Sequence, residues 1–405
     1  MRSRGLPALA ITLTLIAGAT PALADPDWAI VPDGRQPPQA EPSATKAPSA
    51  PKTTSGPKTT SGPKTTSNPK NPSDPRNTAY APGQKALPGS ARVVRERRLG
   101  PRTLDILISS PSIGRMTPVR LLLPKGWSKR SGRTWPVLFL LHGGADDYTS
   151  WTRMTDIAAF TANVQAIVVM PEAGRAGNYS DWYNGGRGGT PKWATFHTGE
   201  VRRLLEIGYR AGTRRAVAGL SMGAYGAVKY AAMNPGMFTF AGAYSGIMAT
   251  QLPGIPEIIM NAQASEKQDP KALWGDPVGD KRIWAKNDPL MLAGDLRGTS
   301  LYLSSGTTSF LGPLDPPGSP WHPAHLGEPI SAYTAKALSG RLDSLGIRHT
   351  LHLYANGSHT WPYWAREFKA SFPMVLAALG LPGGGPAVRA GRDESGAADD
   401  WKLDQ

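Results

Sequence analysis

Cysteine is absent from all 405 residues, which excludes disulfide staples, thiolate nucleophiles and Cys-based metal sites. A chain of this length must then be held by its core. Long apolar runs are missing too, apart from the first block. No later segment reaches the roughly 18 uninterrupted apolar residues needed to cross a bilayer, so no transmembrane helix is expected once that block is removed. Acidic residues are in deficit, 30 against 45 Lys plus Arg, for a net charge of +15. Such a balance favours anionic surfaces, including envelope polymers and lipid headgroups. The charges are dispersed, however, with no basic stripe interleaved by aromatics, and this argues against a nucleic-acid partner. Neither a metal-ligand cluster nor a dinucleotide fingerprint occurs, so no metal and no cofactor are expected.

What is present begins with a targeting segment. Met1-Arg-Ser-Arg is a positive start, Leu6 to Ile16 is apolar, and Ala22-Leu23-Ala24 offers small residues for cleavage; residues 1–24 therefore read as a secretory signal peptide. An exported product is expected, secreted or associated with the cell envelope. Residues 25–90 are rich in Pro, Lys, Ser and Thr and hold the near-repeat PKTTSG-PKTTSG-PKTTSN from Pro51 to Asn68. So little apolar surface cannot offset the ordering entropy, which predicts a disordered spacer. Its lysines could also touch an anionic envelope surface. The tail, residues 381–405, is likewise expected to be disordered.

Residues 91–380 remain for one folded domain. Short apolar runs recur there, Val137–Leu141, Ala166–Met170, Ala216–Leu220, Ala241–Ser245, Leu301–Ser305 and Thr350–Tyr354. Runs of this length bounded by Gly or Pro predict buried strands of a mostly parallel sheet. Helical stretches fall between them, the clearest at 222–233, 329–345 and 362–379. Strand and helix in alternation predict an α/β fold, a doubly wound sheet with helices on both faces.

Gly219-Leu-Ser-Met-Gly223 lies where an apolar strand meets a helix, the context of a G-x-S-x-G nucleophile elbow. Ser221 is the candidate nucleophile. The helix beginning after it offers the Met222 N–H to a developing oxyanion. Of seven histidines, His359 follows the last strand and precedes the last helix, where the base of such a triad belongs. His349 and His352 sit in or beside that strand and read as packing residues. His142-Gly143-Gly144, after the Val137 strand, is an HGG-type loop, and the Gly144 N–H is the second oxyanion candidate. His142 precedes the nucleophile on the wrong strand to be the base and reads as shaping the site. For the acid, Asp315 and Glu328 both lie between the Leu301 strand and His359.

The stretches SPSIGRMTPVRL, DDYTSW, IVVMPEAG, NYSDWYNG, KWATF, GLSMGAYGA, ALWGDP, KNDPL, LYLSSGT and NGSHTWPYW occur in this order from about Leu104 to Ala377. On them the chain resembles the esterase D superfamily of α/β-hydrolases, most of all the antigen 85-type mycolyltransferases. The resemblance covers roughly two-thirds of the chain. It implies an α/β-hydrolase fold, and it implies Glu328 as the acid, since those enzymes carry a glutamate about thirty residues before the histidine. It implies an enzyme acting on acyl esters or lipids through an acyl-serine. The mycolyltransferase loop carries an aspartate and an arginine that contact trehalose. Here His142 replaces the aspartate, no arginine follows, and the loop is shorter. Trp151, Trp182, Tyr183, Trp193, Trp361 and Trp364 could line a groove but read first as packing; His142 and Trp361 are kept as substrate-contact candidates. The expected function is a secreted serine carboxylesterase. The alternatives are an envelope acyltransferase serving sugar or glycerolipid hydroxyls and, less favoured, an inactive wall-binding protein.

Overall fold

The computed structural model describes residues 89–184 and 191–387, together with the backbone of Asp400–Leu403. The expected signal segment and nearly all of the expected spacer lie outside the described residues. Ten strands form one sheet, in the order β1-β2-β3-β5-β4-β6-β7-β8-β9-β10. They are β1 (Arg92–Arg98), β2 (Thr103–Ser110), β3 (Arg115–Leu122), β4 (Trp135–Leu141), β5 (Ile167–Pro171), β6 (Ala211–Leu220), β7 (Phe240–Tyr244), β8 (Ser300–Gly306), β9 (Thr350–Tyr354) and β10 (Asp400–Leu403). Strands β4 to β9 are parallel, and each expected apolar run is one of them. β1, β2 and β3 extend the sheet antiparallel and join it through β3 and β5. β10 runs antiparallel to β9, so part of the tail expected to be disordered is a strand.

Short helices α1 (Ser150–Met154) and α2 (Ile157–Phe160) follow β4, and α3 (Trp193–Thr195) and α4 (Arg202–Gly208) precede β6. α5 (Met222–Met233) leaves β6; α6 (Ile255–Ser265) and α7 (Lys281–Lys286) fill the excursion between β7 and β8; α8 (Gly327–Ser344) and α9 (Trp361–Leu379) flank β9.

The alternation of a strand explains both helical layers. Val137, Phe139 and Leu141 of β4 face a layer containing Ala224 and Val228 of α5 and Leu338 and Leu342 of α8. Leu138 and Leu140 face the opposite layer, where Trp151 of α1 meets Phe368, Phe372 and Val375 of α9. With both faces covered, the strands are apolar throughout, as parallel sheets require. Each fully buried aliphatic side chain contributes roughly 1.5–3 kcal/mol, so these layers supply the cohesion that a cysteine-free chain cannot take from disulfides. Among the described residues no helix is long and apolar enough to cross a membrane.

Parallel strands also fix where loops converge. The turns after β4, β5, β6, β7, β8 and β9 all emerge at the carboxyl ends of the strands, which is where open α/β sheets build their sites.

Candidate active site

Ser221 sits between β6 and α5 with φ +50° and ψ −119°. A non-glycine residue there is strained, typically by about 1–3 kcal/mol, and the surroundings must hold it. They do so through the Ser221 N–H, which donates to the Tyr244 carbonyl at 2.8 Å, and through the two glycines. A Cβ on Gly219 would run into the Gly223 carbonyl oxygen, and a Cβ on Gly223 into those of Leu141 and His142. Strand and helix therefore close up tightly around the serine, which is lifted out of the sheet edge.

His359 and Glu328 meet it there. The Ser221 Oγ lies 2.9 Å from His359 Nε2, and His359 Nδ1 lies 2.8 Å from Glu328 Oε1. Because a carboxylate only accepts, Nδ1 carries the proton and Nε2 is left to accept from the serine hydroxyl. The imidazole reaches this position by crossing the first turn of α8 at Gly327, where a Cβ would stand 3.0 Å from the ring. Glu328 is completely buried. Its Oε2 accepts from the Gly306 N–H at 2.6 Å, Tyr354 Oη at 2.9 Å, Ser245 Oγ at 3.0 Å and Ser305 Oγ at 3.2 Å. Four donors from three strand ends stabilise a buried charge that would otherwise be expensive.

The remaining expected residues lie on the loop after β4, His142 and Gly144, and at the first positions of α5 and α9, Met222 and Trp361. Gly144 stands beside Met222, with its would-be Cβ 4.0 Å from the Met222 Cβ. Neither the Gly144 nor the Met222 N–H donates to another described residue, so both stay available beside Ser221. Arg175 ties this loop down from the other side: its carbonyl accepts the Ala145 N–H at 2.8 Å and its Nη1 donates to the Ala145 carbonyl at 2.7 Å. Its guanidinium also pairs with Glu266 at the end of α6, 2.6 Å away. His142, kept as a substrate-contact candidate, is buried and turned inward. Its Nε2 accepts the Ala173 N–H at 3.0 Å and its Nδ1 meets the Gly143 carbonyl at 2.7 Å. Both ring nitrogens are spent on backbone, so His142 shapes the loop and has none left for a substrate.

Asp315, the other carboxylate in the running, does not touch His359. It accepts from Ser358 Oγ, from Tyr363 Oη at 2.9 Å and from the Gly312 N–H at 2.8 Å. Ser358 also meets Thr360 Oγ1 at 2.7 Å, so Asp315 braces the backbone on both sides of the histidine. Asp315→Ala should lower kcat on a short soluble ester roughly tenfold, about 1.4 kcal/mol in the barrier, with KM nearly unchanged. Steady-state kinetics checks this, and a loss as large as that of a Glu328 variant would reassign the acid.

Of the aromatic set, Trp151, Trp193 and Trp364 are buried and belong to the packing. Trp364 stands edge-on to the His359 ring at 4.9 Å. Trp361 is half-buried against Trp151 and Trp364, at 5.3 and 5.6 Å, which leaves part of its ring open near the histidine. Among the other histidines, His349 meets Ser339 and His352 meets Glu367 inside the protein. His197 lies buried between Tyr230 and the Glu172 carbonyl, where desolvation pulls its pKa down to about 3. Sequence reasoning missed Ser245, Tyr354, Arg175 and the bracing role of Asp315. Only Ser245 carried a local trace, as the polar residue ending an apolar strand.

A serine at a strained elbow, an imidazole on its Oγ, a buried carboxylate behind it and free N–H groups alongside define a serine enzyme of the α/β-hydrolase fold, one that acts on acyl esters by hydrolysis or transfer. Comparison with known proteins narrows the class. The chain belongs to the Esterase family, whose profile matches residues 110–375. It is 30% identical over 284 residues to the diacylglycerol acyltransferase/mycolyltransferase Ag85B of Mycobacterium leprae, covering 67% of this chain and 83% of that protein. Identity to Ag85A of Mycobacterium tuberculosis is 30% over 315 residues, 75% of this chain and 89% of the other. Among solved structures, MPT51 (FbpC1) of Mycobacterium tuberculosis superposes with a TM-score of 0.56 at 24% identity, covering 67% of this chain and 96% of that one. That likeness bears on the fold alone.

Proposed function

We propose that the protein is an exported serine carboxylesterase that works through an acyl-enzyme on Ser221. His359 takes the Oγ proton as the oxygen attacks the ester carbonyl, and Glu328 orients the ring and stabilises the imidazolium that forms. The Gly144 and Met222 N–H groups hold the oxyanion. The proton then passes from His359 to the leaving alkoxide. Water, activated by the same imidazole, releases the acid. The observation that carries this reading is the unbroken chain from Glu328 Oε1 through the imidazole to Ser221 Oγ, at 2.8 and 2.9 Å.

Hydrolysis is favoured over transfer by the oxyanion loop. Its polar ring, His142, faces inward, and Ala145 carries no side chain able to hold a sugar. Transfer is favoured by the relatives, which are named as diacylglycerol acyltransferases and mycolyltransferases. Mass spectrometry of the products separates the two, using acyl esters of several chain lengths with and without trehalose and diacylglycerol. Free acid as the main product in every mixture is the expected result; acylated trehalose or triacylglycerol as the main product would make the protein a transferase. The signal-like residues 1–24 support action outside the cytoplasm, at or beyond the envelope, with the Lys-rich spacer offered to anionic envelope material.

A further inference from the structure

At the opposite end of the sheet from Ser221 lies a cleft of about 310 Å³, walled by Arg98, Pro101, Arg102, Pro124, Lys125 and Trp127 among others. Its position follows from strand direction. Leu122 closes β3 opposite Val168, near the start of β5, and the segment after it leads into the start of β4. The cleft therefore opens where the parallel strands begin, whereas the elbow stands where they end.

Three cations converge there without a carboxylate among the described residues. Arg102 is fixed by backbone, donating to the carbonyls of Leu123, Ala158 and Thr161 at 2.8, 2.7 and 2.8 Å. Its charge is held but not neutralised, and an arginine stays protonated at any ordinary pH. Arg98 is exposed and spends one nitrogen on the Pro101 carbonyl at 2.9 Å, so its other guanidinium donors are unspent. The exposed Lys125 ammonium makes no ion pair or hydrogen bond to another described residue. The same loop, Lys125 to Arg133, carries four cations and no acid. Glu96 of β1, which does not line the cleft, is engaged by Lys129 and Tyr209.

The loop is also set in advance. Trp127 donates its indole N–H to the Tyr209 carbonyl at 2.8 Å, and its ring lies 6.3 Å from the Tyr209 ring in a stacked arrangement. Lys129 caps Tyr209 from 4.8 Å. Of the three cations only Arg102 is itself fixed, by its three backbone carbonyls, and a charge held in advance loses little freedom on meeting an anion. A guanidinium with spare donors and a free ammonium suit phosphate oxygens. The volume exceeds that of a bare ion and stands at the lower end of small-molecule sites, and the proline and tryptophan walls suit a carbon skeleton.

We infer that this cleft binds a small organic phosphate ester, with Arg98 and Lys125 holding the phosphate and Arg102 supplying fixed positive charge; sn-glycerol 3-phosphate serves as its probe. Binding there leaves the Ser221 mouth open, and the inference does not depend on the chemistry assigned to that mouth. The test is calorimetric titration of the full chain with sn-glycerol 3-phosphate, with inorganic phosphate and glycerol as separate controls. One saturable site is expected, at least tenfold tighter for the ester than for either half. The double variant Arg98→Ala with Lys125→Ala should weaken it at least tenfold while ester hydrolysis at Ser221 stays within twofold. Equal binding of ester and inorganic phosphate, or binding unaltered in the double variant, would overturn the site. Co-sedimentation with phosphatidylglycerol vesicles identifies the source. Variant-sensitive pelleting marks a lipid headgroup, and binding of the soluble ester without pelleting marks a free or polymeric phosphate.

Discussion

Ser221→Ala should abolish labelling by a fluorophosphonate probe and lower kcat on a soluble ester by roughly 10⁴ to 10⁶ fold, while the thermal midpoint stays close to that of the wild type. The size follows from removal of the nucleophile itself. What survives is catalysis by the oxyanion donors and binding, which in serine enzymes leaves roughly 10³ to 10⁴ over water. The midpoint should hold because, among the described residues, Ser221 Oγ bonds only to His359 Nε2, and the alanine methyl occupies the place of the existing Cβ. Alanine still has to accept φ +50°, a strain the serine already carries. Folded wild-type protein that takes up no probe would end the enzymatic reading of this site and favour a binding protein on the same fold.

Glu328→Gln should cost about 10⁴ in kcat, far more than Asp315→Asn, and the reason lies in which oxygen has the donors. Oε2 is surrounded by the Gly306 N–H, Tyr354, Ser245 and Ser305. A glutamine must place its carbonyl oxygen there, because its NH₂ would face donors on every side. The NH₂ is then turned to His359 Nδ1, which can only accept it by giving up its proton. The proton moves to Nε2, and the ring presents a donor to Ser221 instead of a base. A loss of this order is known when a triad carboxylate becomes an amide. Asp315→Asn keeps one acceptor oxygen for Ser358 or Tyr363 and leaves the His359–Glu328 bond alone. Rates of single-turnover acylation for the two variants decide the matter: a larger loss for Asp315→Asn would make Asp315 the acid.

The parallel core was legible because its strands are buried on both faces. Continuous apolar runs such as Val137–Leu141 and Ala216–Leu220 therefore stand out from the chain without reference to any partner. β1 was not legible, since RVVRERR is an edge strand and its half-exposed pattern carries five charged residues against two apolar ones. β2 and β3 pair with each other and join the rest only through β5, a relation of register that no local pattern expresses. β10 lies in a stretch whose composition reads as tail.

The site divides along the same line. Ser221, Met222 and the HGG loop announce themselves locally, because an elbow needs glycines at fixed offsets and a helix directly behind the nucleophile. His359 follows from chain order, being the one histidine between the last strand of the parallel core and its helix. The acid is a different matter. Asp315 and Glu328 are both carboxylates after β8 and before His359, and spacing does not separate them. Folding does, by running α8 so that Glu328 enters the sheet edge under four donors and meets the imidazole across Gly327, while Asp315 is drawn to Ser358 and Tyr363. His142 shows the same dependence, since the close approach of the loop after β5 takes its Nε2 through the Ala173 N–H and leaves Nδ1 to the neighbouring Gly143 carbonyl. Residue types and their order thus set the fold class, the nucleophile and the base. Which carboxylate completes the triad, and which polar ring faces away from the substrate, depended on contacts between segments far apart in the chain, where burial leaves each charge or ring nitrogen one set of partners.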